Sequence, residues 1–337
     1  MDAATTFNDT TTLEHGGEKV KEDEGEGGFK SPFAAMYKAK TLTTQEQRRD
    51  DLLQSIKLRR HKLVNKMRNI GDFLHEEYEC KQDEELELMD IETYKGKHKK
   101  TRKLKFKNKL MMSEWFREIP SDLESNWLVK LSPVGVRSLV IAYDGETQAY
   151  NLRGKLQAQF SSHLPGGCQT NTFFKFTVLD CIFSLKNNTY YILDVLAWNS
   201  YSLKNCDTAM RFYWIKSKLE ETPELKHRST SNPFVFSEVH SFPAELPLIT
   251  DKLSATYTID DEEIELDGVL FYHRETIYLE HITPLVGWLK PFMIPEMLQI
   301  PINEIFMEKR PKNYISLAQY LESRKYKIKE SSQKMEY

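Results

Sequence analysis

Charged residues in the first 108 positions occur in blocks of alternating sign, and such blocks cannot build an apolar core. Positions 36–68 hold ten basic and three acidic residues, a net charge of +7. Positions 76–92 hold nine carboxylates and one lysine, whereas positions 95–109 hold nine basic residues and no acidic one. Positions 1–35 are poor in apolar residues and rich in Gly and Glu. We therefore expect disorder in 1–35, a flexible linker at 73–108 and a globular domain after about residue 108.

Composition narrows the class of protein. The 337 residues balance 47 basic against 50 acidic side chains, which argues against a uniformly basic DNA-binding protein. No apolar run approaches the roughly 18 residues of a membrane helix, and the first residues do not resemble a signal peptide. Four widely spaced cysteines without a Cys-x-x-Cys pair argue against a metal site or a disulfide framework. The sequence therefore predicts a protein of the cytoplasm or nucleus with no membrane or DNA partner.

The basic segment 36–72 predicts one long helix. Thr44 and Gln47 have the spacing of a capping box, and Gly71 is a suitable C-terminal stop. Between them apolar residues recur near the helical period, while cations cover the other faces. Three uses remain open from the residues alone. The helix binds an acidic groove of another protein, packs on its own domain, or contacts nucleic acid or a membrane.

From about residue 109 the composition favours strands. Five segments are rich in β-branched and aromatic residues: 127–131, 137–142, 177–185, 189–198 and 267–274. Positions 186–188 have the composition of a hairpin turn, and 207–221 has helical composition. The sequence predicts an α+β protein, with a mainly antiparallel β domain at 109–302 and peripheral helices. A polar tail follows at 303–337.

Several long motifs of this domain resemble the snurportin family of nuclear import adaptors. They are LMMSEW (110–115), IPSDLESNWLVKLSPVG (119–135), FSSHLPGG (160–167), YYILDVLAW (190–198), MRFYWIKSKL (210–219), DGVLFYH (267–273) and TPLVGWLKP (283–291). The resemblance implies that the helix at 36–72 binds importin-beta. It implies that 109–302 binds the trimethylguanosine cap of spliceosomal small nuclear RNAs. A protein of this kind shuttles between cytoplasm and nucleus.

The same domain resembles the nucleotidyltransferase fold of mRNA guanylyltransferases and polynucleotide ligases. Those enzymes use the lysine of a Lys-x-Asp-Gly motif as a nucleophile. Here the segment reads Ser-Pro-Val-Gly, with Ser132 at the lysine position and Val134 at the Asp position. We therefore expect a non-catalytic protein without a cofactor. The alternatives are an active nucleotidyltransferase and a general RNA-binding protein driven by the basic blocks.

The resemblance also assigns cap-binding residues. Trp288 matches the stacking tryptophan, and Trp115 matches the tryptophan near the methylated amine. Ser113 matches a serine that hydrogen-bonds the base, and Met112 lies beside it. Further candidates are Ser132 and the cations Arg137, Arg153 and Lys290 for the triphosphate; the family has a lysine where this chain has Leu152.

Two further partners follow from the resemblance. Eight basic residues are the candidate importin-beta contacts: Arg48, Arg49, Lys57, Arg59, Arg60, Lys62, Lys66 and Arg68. A nuclear exportin would bind an apolar motif near the amino terminus, where this chain offers Phe7, Leu13 and Val20. The basic block at 95–109 adds salt-sensitive RNA affinity, serves as a linker or contributes to import signalling; these three remain open.

Overall fold

The computed structural model describes residues 44–68, 106–168 and 175–323. The predictions made for 1–35, for 73–105 and for the exportin motif lie outside these ranges, as does the end of the tail. Among the described residues, no helix combines the length and the apolar character that crossing a bilayer requires.

Helix α1 spans Gln45–Met67 and begins with the predicted capping box. The Gln47 amide donates to Thr44 Oγ1 at 3.2 Å, and the Thr44 amide donates to Gln47 Oε1 at 3.3 Å. These two bonds satisfy N–H groups that a helix start otherwise leaves unpaired. Residues 36–43 and the proposed stop at Gly71 lie outside the described ranges.

Fourteen strands appear in the described part of the chain. The first sheet contains β1 (Met111–Trp115), β2 (Trp127–Pro133), β10 (Ser241–Pro243), β13 (Leu266–His273) and β14 (His281–Leu289). The second contains β3 (Val136–Tyr143), β4 (Glu146–Asn151), β5 (Leu156–Phe160), β6 (Phe176–Ser184), β7 (Thr189–Trp198), β8 (Tyr201–Ser202) and β9 (Val235–Glu238). A separate hairpin joins β11 (Thr258–Ile259) and β12 (Glu262–Glu263).

The sheets are mainly antiparallel, as predicted. The first has the order β1-β14-β13-β2-β10, and the second has β5-β4-β3-β6-β7-β8 with β9 beside β7. Only the β1–β14 and β7–β9 pairs among these strands are parallel. All five strands predicted from the sequence are confirmed, each within two residues at either end. The β3–β4 turn uses Asp144 and Gly145 at φ of 54° and 81°, the left-handed pair that a tight hairpin needs.

Short helices cover the sheets. They are α2 (Leu123–Asn126), α3 (Thr208–Glu221), α4 (Leu246–Lys252) and α5 (Ile294–Leu298). Single 3₁₀ turns lie at Pro223–Lys226, Pro291–Met293 and Glu304–Phe306, and residues 317–323 are helical. The α3 helix confirms the prediction for 207–221. Its N-cap is Asp207, whose carboxylate accepts from the Met210 amide at 2.8 Å.

The two faces of the first sheet support two different cores. Side chains such as Leu270 and Tyr272 share one cluster with the second sheet and with Phe212 of α3. Alternate residues, such as Val269 and Phe271, point into another cluster with the C-terminal segment. This alternation follows from the two-residue period of a strand. The first sheet is therefore covered on both faces.

Part of the segment predicted as a polar tail belongs to the second core. Phe306, Tyr314, Leu317 and Leu321 are each buried within it. Their pattern did not indicate a core segment, because these residues are widely spaced among polar and charged ones. Residues 303–323 thus fold with the domain.

Candidate functional site

Four strands of the first sheet align the central residues of the site. Trp115 of β1 is the register partner of Trp288 of β14. Trp288 is the partner of Leu270 of β13, which in turn pairs with Lys130 of β2. Register partners on neighbouring strands lie side by side. These four residues therefore form one row across the sheet, from Trp115 on β1 to Lys130 on β2.

The position of the Trp288 indole depends on a glycine. A Cβ atom at Gly268 would lie 2.2 Å from Cζ2 and 2.3 Å from Cη2 of Trp288. The ring therefore rests directly on the Gly268 backbone, which only a residue without a side chain allows. Trp288 remains half-buried and packs against the cluster between the two sheets. Part of its surface therefore remains exposed to solvent.

A lysine lies beside this indole. Lys290 Nζ is 5.5 Å from the Trp288 ring centroid, and it donates to the Asp267 carbonyl at 3.1 Å. Its ion pair with the Asp267 carboxylate holds it there. Asp267, directly before Gly268, thus positions the cation next to the ring that Gly268 accommodates.

Trp115 faces a different environment from Trp288. Its ring packs against the second core and contacts Tyr320 edge-on, with centroids 5.8 Å apart. The register of β1 shifts between Ser113 and Glu114. Met112, before the shift, packs on the first cluster, and Ser113 is half-buried. The structure therefore brings the two tryptophans onto adjacent strands but seats them against separate clusters.

Arg137 is held by a carboxylate. Its Nη2 donates to Asp180 Oδ2 at 2.7 Å and to the Met111 carbonyl at 3.2 Å. The Tyr278 hydroxyl donates to the same Asp180 oxygen at 2.8 Å and accepts from the Met111 amide at 3.0 Å. Burial opposes the charge of Arg137, but Asp180 outweighs it and raises the pKa of the guanidinium. This cluster fixes the start of β1, and Asp180 already balances the charge of Arg137.

The remaining predicted cap residues occupy contrasting places. Ser132 is buried at 3% exposure and pairs in register with Gly268. Arg153 is exposed in the β4–β5 turn, where its amide donates to Asn151 Oδ1 at 3.0 Å. Ser132 thus lies near the backbone under Trp288, whereas Arg153 projects from a turn of the other sheet.

Lys130 is a buried charged residue that the sequence analysis missed. It is fully buried, its Nζ donates to the Leu193 carbonyl at 2.8 Å, and it lies 3.8 Å from the Phe212 ring centroid. Burial lowers its pKa from 10.5 to about 8. A lysine inside the otherwise apolar run WLVKL was the available signal. In the described ranges, no group of three His, Cys, Asp or Glu side chains could hold a metal ion.

The first half of α1 packs on the domain. Arg49 is 3% exposed and donates to the Glu118 carbonyl at 2.9 Å and the Pro284 carbonyl at 3.3 Å. Its guanidinium lies 4.9 Å from the Phe116 ring centroid, and burial lowers its pKa to about 10. Ile56 is buried in a small cluster with residues of the β13–β14 region. Of the three uses considered for the helix, packing on its own domain is therefore present.

The eight basic residues of α1 divide into two groups. Arg48 and Arg49 are held by the domain, while Lys57 pairs with Glu275 at 3.1 Å and Arg60 with Asp207 at 3.7 Å. Four others are exposed: Arg59, Lys62, Lys66 and Arg68. These four residues, together with Lys57, whose side chain is 63% exposed, thus face solvent in the docked helix.

Two family models match the chain. The model described as "Snurportin1, m3G cap-binding domain" matches residues 109–291, and the model described as "Snurportin1" matches residues 33–69. The first match alone covers more than half of the sequence, and the second contains all of α1.

Solved structures that match parts of the fold include DNA ligases. The ligase domain of LigD from M. tuberculosis is 11% identical, with a TM-score of 0.35 over 53% of this chain and 58% of that one. A Lig E DNA ligase structure is 12% identical, with a TM-score of 0.35 over 53% of this chain and 67% of the other. This chain therefore spans less than two thirds of the LigD structure, and a likeness of this size says nothing about activity. The match of residues 109–291, joined by the match of residues 33–69, shows that the chain belongs to the snurportin family.

Proposed function

We propose that this protein is a non-catalytic nuclear import adaptor. Residues 109–291 bind the m3G (trimethylguanosine) cap of small nuclear RNAs, and α1 connects the capped ribonucleoprotein to importin-beta. Such an adaptor works in both cytoplasm and nucleus. The observation that carries the cap assignment is the half-buried indole of Trp288, seated on Gly268 within the part of the chain that matches a cap-binding domain.

The chemistry of the cap suits an indole face. Guanine methylated at N7 carries a positive charge, so stacking on Trp288 combines dispersion with cation–π attraction. Stacking of a base on an aromatic side chain is worth about 1–3 kcal/mol. The neighbouring Lys290 would repel the charged base, but its ion pair with Asp267 balances that charge. To contact the phosphates that follow the base, Lys290 would exchange this ion pair for a phosphate oxygen.

The doubly methylated exocyclic amine calls for an apolar neighbour. It has no N–H left to donate, so a polar acceptor buried against it would remain unsatisfied. Trp115 lies on the edge strand β1 beside Trp288, but its ring packs on the opposite cluster. In this proposal it supplies the apolar edge from the rim of the sheet. Ser113 and Met112 complete the base contacts in this proposal, with Ser132 below the stacking ring. Arg153, exposed in the β4–β5 turn, joins Lys290 as a cation proposed for the triphosphate, whereas Arg137, already paired with Asp180, supports the start of β1.

The described residues favour binding over catalysis. Ser132 stands where a nucleotidyltransferase has its lysine, and it is buried. The nearest lysine on the same strand, Lys130, has no exposed surface and is held by the Leu193 carbonyl. Incubation with labelled GTP or ATP should therefore leave no lysine-linked nucleotide on the protein. Covalent labelling that is lost in Lys130→Met would overturn this part of the proposal.

The distribution of cations on α1 supports the importin-beta assignment. Arginine forks and lysines along one helix complement an acidic groove, and four of them are already exposed. A pull-down of the full chain with importin-beta tests this. Charge reversal at Arg59 and Lys62 should abolish capture, whereas reversal at Lys216, an exposed lysine of α3, should leave capture unchanged.

Fluorescence quenching tests the cap assignment directly. The full chain is titrated with trimethylguanosine and monomethylguanosine cap dinucleotides. Trp288→Ala should weaken binding of the trimethylated cap by about 5- to 150-fold, the equivalent of one stacking contact. Trp214→Ala is the matched control, because Trp214 is also half-buried and has Lys218 at 5.1 Å from its ring.

Two results would contradict the cap assignment. Equal response of the wild type to both caps would mean that the methylated amine is not recognised. Binding that ignores Trp288→Ala and falls steeply with salt would indicate the general RNA-binding alternative, in which the basic blocks carry the affinity.

A further inference from the structure

The first turn of α1 is tied to the end of the strand that carries Trp115. The Gln45 side chain is 4% exposed, and its amide group makes four hydrogen bonds to this segment. Gln45 Nε2 donates to the Trp115 carbonyl at 3.0 Å and to Glu114 Oε2 at 3.3 Å. Gln45 Oε1 accepts from the Arg117 amide at 3.1 Å and the Glu118 amide at 3.2 Å. The Gln45 side chain thus forms hydrogen bonds with backbone groups on both sides of Phe116.

The other side of this segment is held by the strand of the stacking tryptophan. The Phe116 amide donates to the Trp288 carbonyl at 3.1 Å. The Phe116 ring fills the space above Gly287, where a Cβ atom would lie 2.3 Å from the ring. Residues 114–118 therefore lie between Trp288 on β14 and Gln45 on α1.

Two arginines strengthen the contact between α1 and this segment. Arg48 forms a two-pronged ion pair with Glu114, at 2.5 and 2.8 Å. Arg49 lies over the Phe116 ring and donates to the Glu118 carbonyl at 2.9 Å. A two-pronged arginine–carboxylate pair fixes geometry as well as adding energy. Docking of α1 thus immobilises the backbone directly after Ser113.

We propose that docked α1 is part of the cap site and that Gln45 is a positioning residue for Trp115. Gln45 touches no part of the RNA; it fixes the strand end from which the Trp115 indole projects. Cap binding and helix docking then favour each other. This inference rests on the proposed cap function, because it assigns Trp115 to the recognition of the methylated amine.

Thermodynamic linkage extends the inference to protein partners. A partner with an acidic groove that binds undocked α1 must take Arg48 and Arg49 away from Glu114 and Phe116. Coupling between two binding events is reciprocal. Such a partner therefore lowers the affinity for the cap by the same factor by which the cap lowers the affinity for the partner. The two functions proposed for this chain are then linked through Gln45 and its neighbours.

The experiment compares two glutamines of the same helix in the full chain. Gln45→Ala removes the four bonds to residues 114–118, whereas Gln54→Ala changes an exposed side chain of α1. Affinities for trimethylguanosine and monomethylguanosine cap dinucleotides are measured by tryptophan quenching. We expect Gln45→Ala to lower the affinity for the trimethylated cap about three- to tenfold, as for the loss of one or two hydrogen bonds. The affinity for the monomethylated cap should fall less, so that the preference for the trimethylated cap decreases.

A third variant separates positioning from general loosening of the helix. Leu53→Ala removes an apolar side chain of α1 that packs on the cluster of Ile56, Ile277 and Leu285. If positioning is correct, Leu53→Ala and Gln54→Ala retain the wild-type preference between the two caps, and only Gln45→Ala loses it.

Each other outcome overturns the inference. Unchanged cap affinities in Gln45→Ala would show that Trp115 needs no support from α1. Equal loss for both caps, with a lower thermal midpoint, would show a purely structural role. If the wild type binds neither cap, the proposed cap function is wrong, and the inference fails with it. If the wild type binds the cap and Gln45→Ala binds it equally well, only the inference is wrong.

Discussion

A single methyl group at Gly268 should move the indole on which the cap assignment depends. In Gly268→Ala the new Cβ would lie 2.2 Å from Trp288 Cζ2, whereas ordinary contact begins at 3.4 Å. The ring must therefore shift by at least 1.2 Å, the difference between these distances. The backbone cannot yield instead, because the Cβ would also lie 2.8 Å from the Leu289 carbonyl oxygen.

The size of the effect follows from the stacking that is lost. A stacked base contributes about 1–3 kcal/mol, so cap affinity should fall by about 5- to 150-fold. Overpacking costs a similar amount of folding free energy, about 1–3 kcal/mol. For a domain of this size, that lowers the thermal midpoint by roughly 2–12 °C. A domain that melts in the usual range of about 45–65 °C would thus still be folded in a binding assay at about 20 °C.

The assay pairs cap titration with a double-mutant cycle. Trp288→Phe removes the two ring atoms that meet the new methyl group, so Gly268→Ala should cost less stability in that background than in the wild type. A coupling of about 0.5–3 kcal/mol is expected for groups in contact. Wild-type affinity for the trimethylated cap in Gly268→Ala would refute the reasoning, since the displaced indole could not then be the stacking surface.

Three further changes test the architecture around the site. Ile56→Ala should loosen α1 by about 2 kcal/mol and speed amide exchange in its first half roughly 30-fold, while Leu58→Ala, at a position 58% exposed, should not. Lys130 has its pKa lowered from 10.5 to about 8, so the unfolded chain binds more protons between these values. The unfolding free energy of the wild type should rise by up to about 3 kcal/mol relative to Lys130→Met between pH 8 and pH 10.5, measured by urea titration. Asp194→Asn leaves the buried Arg211 guanidinium without its ion-pair partner. It should lower the unfolding free energy by about 3–5 kcal/mol in the same titration. A loss below about 1 kcal/mol would show that water or backbone carbonyls replace the carboxylate.

Local signals predicted the elements of the fold well. The capping box at Thr44 is a short pattern whose hydrogen bonds form within four residues, and the helical composition at 207–221 is equally local. The strands at 177–185 and 189–198 were evident because both faces are buried and the residues are β-branched or aromatic. Such features depend little on the rest of the molecule.

Features that depend on distant neighbours escaped prediction. Strand β14 contains Pro284 and Gly287 and has an irregular register, so its pattern alone does not indicate a strand. Arg49 was assigned to a protein partner, because nothing in the sequence shows that its guanidinium donates hydrogen bonds to the backbone carbonyls of residues 118 and 284. The sequence likewise could not show that Asp180 meets Arg137 or that Gln45 bonds to residues after β1. These contacts exist only once the sheet has formed.

The parallel pairing of β1 with β14 has a consequence for how the protein is made. Met111 finds its partner at His281, 170 positions later in the chain. Contacts between residues so far apart form late, because a long loop must close before they bring any energetic gain. On the ribosome, the strand with Trp115 waits until β14 has emerged. Any nascent chain that ends before β14 therefore leaves both β1 and β13 without the neighbour that joins them, and unpaired edges of this kind favour aggregation.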